Sequence, residues 1–313
     1  MSTVRQAAEA VIANVENVIL GKHRQIELLV VAALCRGHVL IDDVPGTGKT
    51  MLARSFAASL GVAFKRLQCT PDLLPNDVTG VRVFDPRTAE FRFEPGPVFT
   101  SVLLADEINR ATPRTQAALL EAMAERQVTV DGDTRRLPEV FLVLATQNPV
   151  EFEGTFPLPE AQLDRFLLSV AMGYPAAFEE QFLVERQGLD HPVDSLQPVA
   201  EAIDWPQLCL AASQTLLSPD VSRYLVSLVA STRGHPAVEL GASPRASIFL
   251  AAASRALAAV RGRDFVLPDD VKAIAGAVLS HRLVLSAQSR LRGIRAGDVI
   301  DELLTATPVG AEP

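Results

Sequence analysis

A glycine-rich segment constrains the fold of this chain more than any other feature of its sequence. It reads Val-Pro-Gly-Thr-Gly-Lys-Thr over residues 44–50 and directly follows the apolar run of residues 38–42. Glycines let the backbone wrap closely so that its N–H groups point inward, and the helix that follows adds the positive end of its dipole. This order of strand, loop and helix predicts a binding site for phosphate groups. The residues predicted to form it are Pro45, Gly46, Thr47, Gly48, Lys49, Thr50 and Met51.

In a loop of this kind, Lys49 is expected to reach the β- and γ-phosphates of a nucleotide, and Thr50 to offer its hydroxyl to Mg²⁺. The sequence departs from the usual pattern at one position, where Asp43 replaces the first glycine. That glycine starts the turn and does not itself hold phosphate, so Asp43 is tolerable if its backbone adopts an allowed conformation. The alternative is a chance glycine-rich turn, which the flanking strand and helix patterns disfavour.

Five apolar runs predict buried strands, and helical patterns, such as residues 49–60 and 112–125, separate most of them. Three runs are continuous stretches of Val, Ile, Leu and Ala, as in strands that helices cover on both faces. The alternation of strand and helix predicts a parallel sheet with right-handed crossovers. Two segments of alternating polarity, residues 80–96 and 126–138, predict β-hairpins. The predicted strands are residues 38–42, 64–69, 102–106, 140–146 and 166–171.

The pattern changes after residue 175, where a charged helical stretch and a loop lead into a run of helices. Ser218 and Ser243 each precede a proline, which is typical of an N-cap followed by proline at the first helical position. Because no strand pattern is visible here, residues 200–313 are predicted to form an all-helical second domain. A nucleotide-binding α/β domain is predicted over residues 1–190.

Polar side chains follow the third and fourth predicted strands. Asp106 and Glu107 end the third strand, where Asp106 is expected to belong to the Mg²⁺ shell and Glu107 to orient and deprotonate an attacking water. Asn148 leaves the fourth strand and, if the two strands are neighbours, could position the same water and sense the γ-phosphate. Acidic residues that simply face solvent, and a turn formed by Asn148 and the proline after it, remain the structural alternatives.

Composition disfavours several other classes of site and leaves local basic patches open. The net charge of −8 argues against a broad nucleic-acid or anionic-membrane surface. Cys35, Cys69 and Cys209 are far apart and predict reduced thiols rather than disulfides or a zinc site, and His38 is expected to be a structural residue. The amino terminus is an amphipathic helix rather than a signal peptide, and no apolar run approaches 20 residues, so we expect a cytoplasmic protein without membrane insertion.

Five segments, VPGTGKT, LLADEINRA, ATQNP, GTFPLPEAQLDRF and GASPRA, together resemble the MoxR family of AAA+ ATPases. The resemblance covers nearly the whole chain, and residues 154–166 are its most specific part. It implies an α/β core with a five-stranded parallel sheet in the order 5-1-4-3-2, sandwiched by helices, and a C-terminal helical lid. It further implies a homo-oligomeric ring, commonly a hexamer, with ATP and Mg²⁺ bound between adjacent subunits.

The same resemblance assigns expected roles to individual residues. Asn148 corresponds to the first sensor, Arg165 to the arginine finger that completes a neighbour's site, and Arg245 to the second sensor of the lid. For each arginine a surface salt bridge is the alternative, and Arg110 is a weaker candidate for the subunit interface. The two hairpins correspond to insertions that line or face a central pore.

At the level of function, the resemblance implies a chaperone-like ATPase that remodels or matures partner proteins, which in such systems often carry von Willebrand factor A domains. A nucleic-acid motor is one alternative, since five arginines lie on the hairpins, but neighbouring carboxylates and scarce aromatic residues disfavour it. A regulatory ATP-binding module with little turnover is another, against which the full set of predicted catalytic residues weighs. The hairpin arginines are Arg82, Arg87, Arg92, Arg135 and Arg136.

Overall fold

The computed structural model describes residues 2–148, 154–185, 192–199 and 204–309. The predicted boundary between the two domains, residues 190–200, lies partly outside these ranges. The α-helices are α1 (Ser2–Glu16), α2 (His23–Leu34), α3 (Lys49–Leu60), α4 (Pro75–Thr79), α5 (Pro113–Glu125), α6 (Glu160–Leu163), α7 (Ala177–Glu185), α8 (Trp205–Ser213), α9 (Pro219–Ser231), α10 (Pro244–Val260), α11 (Pro268–Leu279), α12 (Ala287–Leu291) and α13 (Ala296–Ala306). The strands are β1 (Val39–Asp42), β2 (Phe64–Gln68), β3 (Gly80–Asp85), β4 (Glu90–Pro95), β5 (Val102–Asp106), β6 (Gln127–Val130), β7 (Asp133–Arg136), β8 (Leu142–Gln147), β9 (Leu168–Val170), β10 (Val238–Leu240) and β11 (Val284–Leu285).

Five parallel strands form the central sheet in the order β2-β5-β8-β1-β9. Numbered within this sheet alone, the order reads 2-3-4-1-5, which confirms the predicted order 5-1-4-3-2 from the opposite edge. The pairing register places Gln68 beside Asp106 and Asp42 beside Gln147. The polar residues that end these strands therefore meet at one edge of the sheet.

The sheet has an apolar core on each face. Along β5, Leu104 belongs to the core shared with α1, α2 and α3, whereas Leu103 belongs to the core under α5, because successive side chains of a strand point to opposite faces. The predicted apolar stripe of α5, Leu119, Leu120 and Met123, is buried in the second core. The first core continues into α8–α11 and α13, so the C-terminal helices pack on the sheet domain. None of the helices in the described ranges combines the length and apolar character that a bilayer crossing requires.

Both predicted hairpins are present as separate antiparallel pairs, β3 with β4 and β6 with β7. Asp131 and Gly132, which turn the second hairpin, have φ of 52° and 86°, the conformation that a tight type I′ turn requires. The first hairpin exposes Phe84 and Phe91, residues that are 49% and 60% accessible and whose ring centroids lie 5.2 Å apart. This hairpin thus presents an exposed pair of aromatic side chains.

Within residues 204–309 the regular elements are helices apart from one small sheet and a single β-bridge between Leu216 and Phe265, so the prediction of an all-helical second domain was wrong in this detail. β10 and β11 pair in antiparallel fashion. Strands of three and two residues are too short to show an alternating pattern, which is why the sequence did not reveal them. The predicted N-caps are present, since Ser218 Oγ accepts a hydrogen bond from Val221 N and Ser243 Oγ accepts one from Arg245 N.

His38 is a fully partnered core residue, as expected. Its Nε2 lies 3.1 Å from the Met123 carbonyl, and its Nδ1 accepts a hydrogen bond from Val143 N. This arrangement requires the neutral ring with its proton on Nε2. Burial lowers the pKa of His38 from 6.5 to about 4, because it disfavours the charged imidazolium.

The depressed pKa of His38 predicts a pH dependence of stability. Between pH 6.5 and about 4 the unfolded chain binds a proton at His38 that the folded chain does not, so stability is lost as the pH falls through this window. The His38 contribution to that loss is about 3 kcal/mol. We expect His38→Gln to show a correspondingly shallower fall in urea-unfolding free energy from pH 6.5 to 4. Equal slopes for both proteins would contradict the assignment.

Candidate functional site

The glycine loop has the backbone conformation that its sequence predicts. Gly46 and Gly48 have φ of 83° and 84°, values at which a residue with a side chain is strained. A Cβ built at either position would meet no atom within 4 Å, so the requirement for glycine comes from the backbone conformation rather than from crowding. α3 begins at Lys49 directly after the loop, and its unpaired N–H groups face the site that the loop encloses.

Asp43 supports the loop from below. Its backbone φ is not positive, so Asp43 has an allowed conformation and can replace the usual glycine. Its buried carboxylate accepts hydrogen bonds from Val44 N and from Gly173 N, each at 2.7 Å. Because Gly173 follows β9, Asp43 ties the loop to the far edge of the sheet.

Lys49 is held by the loop itself. Its Nζ donates to the carbonyl oxygens of Asp43, at 3.0 Å, and Val44, at 2.6 Å. These bonds place the ammonium group at the inner side of the loop, next to the first turn of α3. Thr47 donates from Oγ1 to the same Val44 carbonyl at 3.3 Å and so stabilises the turn.

The two carboxylates at the end of β5 are oriented by Thr146, which ends the buried part of β8. Thr146 Oγ1 donates to Asp106 Oδ1 at 2.7 Å and accepts from Glu107 N at 2.8 Å. Glu107 has φ of 57°, a left-handed conformation that turns its side chain away from the strand. One hydroxyl therefore fixes both acidic residues relative to the sheet.

Arg66 and Gln68, at the end of β2, complete a polar network that the sequence analysis missed. Arg66 Nε and Nη2 donate to Asp106 Oδ2 at 3.1 and 2.7 Å, and Nη2 also donates to Gln68 Oε1. Gln68 Nε2 in turn donates to Glu107 Oε2 at 3.0 Å, and Arg110 Nη1 reaches the same oxygen at 3.2 Å. In this structure Arg110 acts locally on Glu107.

The loop, the carboxylates and the polar strand ends converge on one cavity of about 420 Å³. Asn148, buried directly after β8, also lines it, so the two strands that carry Asp106 and Asn148 are neighbours as the prediction required. Of the seven predicted loop residues, Thr47 alone is not part of the wall. The cavity is lined by Pro45, Gly46, Gly48, Lys49, Thr50, Met51, Arg66, Gln68, Asp106, Glu107, Thr146, Gln147 and Asn148.

The double role of Thr146 predicts a specific loss of stability. In Thr146→Val the Glu107 N–H loses its partner at a part-buried position beside the buried Thr146 side chain, which costs about 1 kcal/mol. Urea-induced unfolding should register this loss. Thr146→Ser keeps the hydroxyl and should retain most of the stability. If valine and serine are equivalent, the hydroxyl does not hold the strand ends together.

Two predicted site residues lie away from the cavity. Arg165, after α6, donates from Nη1 to the Leu120 carbonyl of α5 at 2.6 Å. Arg245, in the first turn of α10, is half-exposed and its Nη1 lies 4.0 Å from Asp164 Oδ2. Neither arginine lines the cavity of its own chain.

The donor groups of the cavity suit Mg²⁺ better than a metal with an all-protein shell. Among the described residues, no group of three or more His, Cys, Asp or Glu is arranged to hold a metal ion. Mg²⁺ keeps several waters and takes one or two protein oxygens together with substrate phosphates. Thr50 and Asp106 line the same cavity and supply one hydroxyl and one carboxylate, which fits such an ion.

Comparison with known proteins places these features in a family. Residues 38–168 match the ATPase family associated with various cellular activities (AAA), and residues 230–303 match the AAA lid domain. YeaC of Bacillus subtilis is 48% identical, over 95% of this chain and 92% of that protein. Chaperone MoxR1 of Mycobacterium tuberculosis is 42% identical, over 95% of this chain and 80% of that protein. The crystal structure of a candidate ATPase from Cytophaga hutchinsonii is 34% identical, covers 99% of this chain and 97% of its own, and superposes with a TM-score of 0.91.

Proposed function

Because the chain belongs to the MoxR family of AAA+ ATPases, we propose that its cavity binds ATP with Mg²⁺ and that its side chains hydrolyse ATP to ADP and phosphate. The observation that carries this proposal is the convergence of the glycine loop and the two carboxylates on one cavity. A phosphate-binding loop without a nearby acid–base group would suit binding alone. This cavity contains the loop together with carboxylates that can act on water and metal.

The loop and α3 bind the triphosphate in this proposal. The N–H groups of residues 46–50 donate to phosphate oxygens, and the Lys49 ammonium moves from the loop carbonyls to the β- and γ-phosphates. Thr50 and Asp106 hold the Mg²⁺, which when bound neutralises charge that develops on the phosphates. Met51, which lines the same cavity, provides apolar contact for the nucleotide.

Glu107 and Asn148 handle the nucleophile. Glu107 accepts a proton from a water whose oxygen attacks the γ-phosphorus, while the bond between that phosphorus and the bridging oxygen of ADP breaks. Gln68 and Arg110, both bonded to the Glu107 carboxylate, orient it, and the Asn148 amide positions the same water. The side chains therefore divide the work into gripping phosphate, holding metal and removing a proton.

Exchanging Glu107 for glutamine separates binding from chemistry. Glu107→Gln keeps the shape of the side chain but removes the proton acceptor, so turnover should fall by about 10²–10⁴-fold while ATP affinity is retained. Single-turnover hydrolysis and equilibrium binding of ATP would measure the two effects. Glu121→Gln, on the exposed side of α5, is the matched control. Normal turnover in Glu107→Gln would assign the base to another residue.

We further propose that the active form is a homo-oligomeric ring, a hexamer as is common in the family, with ATP bound between subunits. Light scattering would measure the number of subunits. Arg165 lies outside its own cavity and carries the always-charged guanidinium suited to phosphoryl oxygens. It therefore acts on the cavity of the neighbouring subunit, whereas Arg245 acts from the lid. ATP binding then closes the lid against the core and shifts the hairpins.

The work done by this motion is remodelling of partner proteins, including ones with von Willebrand factor A domains. The exposed Phe84–Phe91 pair suits apolar protein segments. Arg92 of the first hairpin pairs with Glu94 at 2.7 Å, and Arg135 of the second pairs with Asp133 at 3.7 Å. These carboxylates offset the positive charge with which the hairpins would bind nucleic acid. Stimulation of turnover by such a partner supports this function, whereas salt-sensitive stimulation by DNA supports a nucleic-acid motor.

A further inference from the structure

The segment between α6 and β9, which contains Arg165, is gripped by a buried arginine of the C-terminal region. Arg282 has a side chain only 2% accessible, and its Nε donates to Asp164 Oδ1 at 2.8 Å. Its two terminal nitrogens donate to the carbonyls of Phe166 and Leu167. A guanidinium from one domain is thus enclosed by the residues on both sides of Arg165.

The second oxygen of the same carboxylate reaches another lid element. Asp164 Oδ2 accepts a hydrogen bond from Ser243 Oγ at 2.9 Å. Ser243 is the N-cap of α10, the helix whose first turn carries Arg245. The Asp164 carboxylate therefore contacts the cap of the helix that carries Arg245, the proposed sensor of the lid. Asp164 itself directly precedes Arg165, the proposed arginine finger.

Arg165 itself is anchored to the core at its tip, through the bond from Nη1 to the Leu120 carbonyl. Its backbone lies between Asp164 and Phe166, which the lid holds through charged and charge-assisted hydrogen bonds. Such bonds are about twice as strong as neutral ones. The lid therefore holds the backbone on either side of Arg165, whereas the tip of the side chain is bonded to the core.

We propose that Asp164 is a positioning residue that couples the lid of a subunit to the arginine finger it presents to its neighbour. When the lid moves, Ser243 and Arg282 carry Asp164 with them and set the placement of Arg165. This inference rests on the proposed function, because it assumes that Arg165 acts on the adjacent subunit. If these contacts only stabilised the fold, their loss would lower turnover at the subunit's own site and at the neighbour's site alike.

Mixed rings distinguish the two roles. A donor subunit, Glu107→Gln, binds ATP and presents Arg165 but does not hydrolyse its own nucleotide. A provider subunit, Arg165→Ala, has an intact site but presents no finger. Mixing them should restore hydrolysis at provider sites. Ser243→Ala placed in the donor should then lower the restored turnover by about 10²-fold, the cost of a misplacement of about 1 Å. Placed in the provider, the same change should have a clearly smaller effect.

Matched variants control for loss of a helix cap and for folding. Ser218→Ala removes the equivalent cap of α9, which has no bond to the core segment, and should spare turnover in the donor. Ser243→Thr keeps the hydroxyl and should restore the donor, and Asp164→Asn should reproduce the donor defect if it folds. Equal losses in donor and provider would overturn the inference. Absence of any rescue in the parent mixture would instead refute action of Arg165 in trans, on which this inference rests, whereas ATP hydrolysis itself is tested separately by Lys49→Ala and by Glu107→Gln alone.

Discussion

Lys49→Ala is expected to abolish ATP binding at working concentrations and thereby all turnover. In the proposed ATP site the ammonium is the charged partner of the β- and γ-phosphates, and alanine would leave their charge facing backbone amides alone. Losing one member of a buried charge pair costs about 4 kcal/mol, which raises Kd by about 10³-fold. Equilibrium titration with a fluorescent ATP analogue would measure the change directly.

The position of Lys49 makes this experiment specific. Its Nζ bonds the carbonyls of Asp43 and Val44, which are neutral, so the substitution leaves no buried charge without a partner. Folding should therefore survive, and a urea-unfolding curve can verify it. Lys272→Ala removes an exposed lysine of α11 paired with Asp269 at 3.7 Å and should leave Kd unchanged. Wild-type affinity in Lys49→Ala would refute the assignment of the loop.

The sheet was predictable because most of its strands are short apolar runs between clear loop and helix signals, although β2 is largely exposed and alternates in polarity. β5 begins and ends where the sequence predicts, since an apolar run ends abruptly at Asp106. β9 is shorter than the predicted residues 166–171, and the carbonyls of the two residues before it, Phe166 and Leu167, accept hydrogen bonds from Arg282. That contact joins residues more than 100 positions apart, and no local pattern encodes it.

The parts of the candidate site that lie within one local sequence motif were predictable. The glycine loop and the carboxylates of β5 each sit in one local segment, and both proved to line the same cavity. Arg66 and Gln68 were missed because the polar alternation of β2 is equally typical of a solvent-facing strand. The predicted strand order already made the second and third strands neighbours, and this pairing could have revealed the two residues. In the structure it places Gln68 beside Asp106.

Arg165→Ala is expected to reduce turnover by about 10³–10⁵-fold in a uniform ring, the usual worth of an arginine finger. The γ-phosphoryl group spreads negative charge over its oxygens as it transfers, and a fixed guanidinium stabilises that charge without reorganising. ATP affinity should change far less, because the finger acts mainly on the transition state. Steady-state turnover, with light scattering to verify the ring, would measure the effect.

The control for Arg165 must address the alternative that it is an ordinary surface arginine. Arg223→Ala breaks an exposed pair with Asp220, and exposed pairs contribute little, so its turnover should match the wild type. Mixing Arg165→Ala with Glu107→Gln subunits then decides where the arginine acts, because the first has an intact site and no finger, whereas the second binds ATP and presents Arg165 but cannot hydrolyse. Recovery of hydrolysis requires that Arg165 enter a neighbour's cavity, as its position outside its own cavity predicts. Loss of turnover without recovery would mean that Arg165 supports only the α5 contact at Leu120.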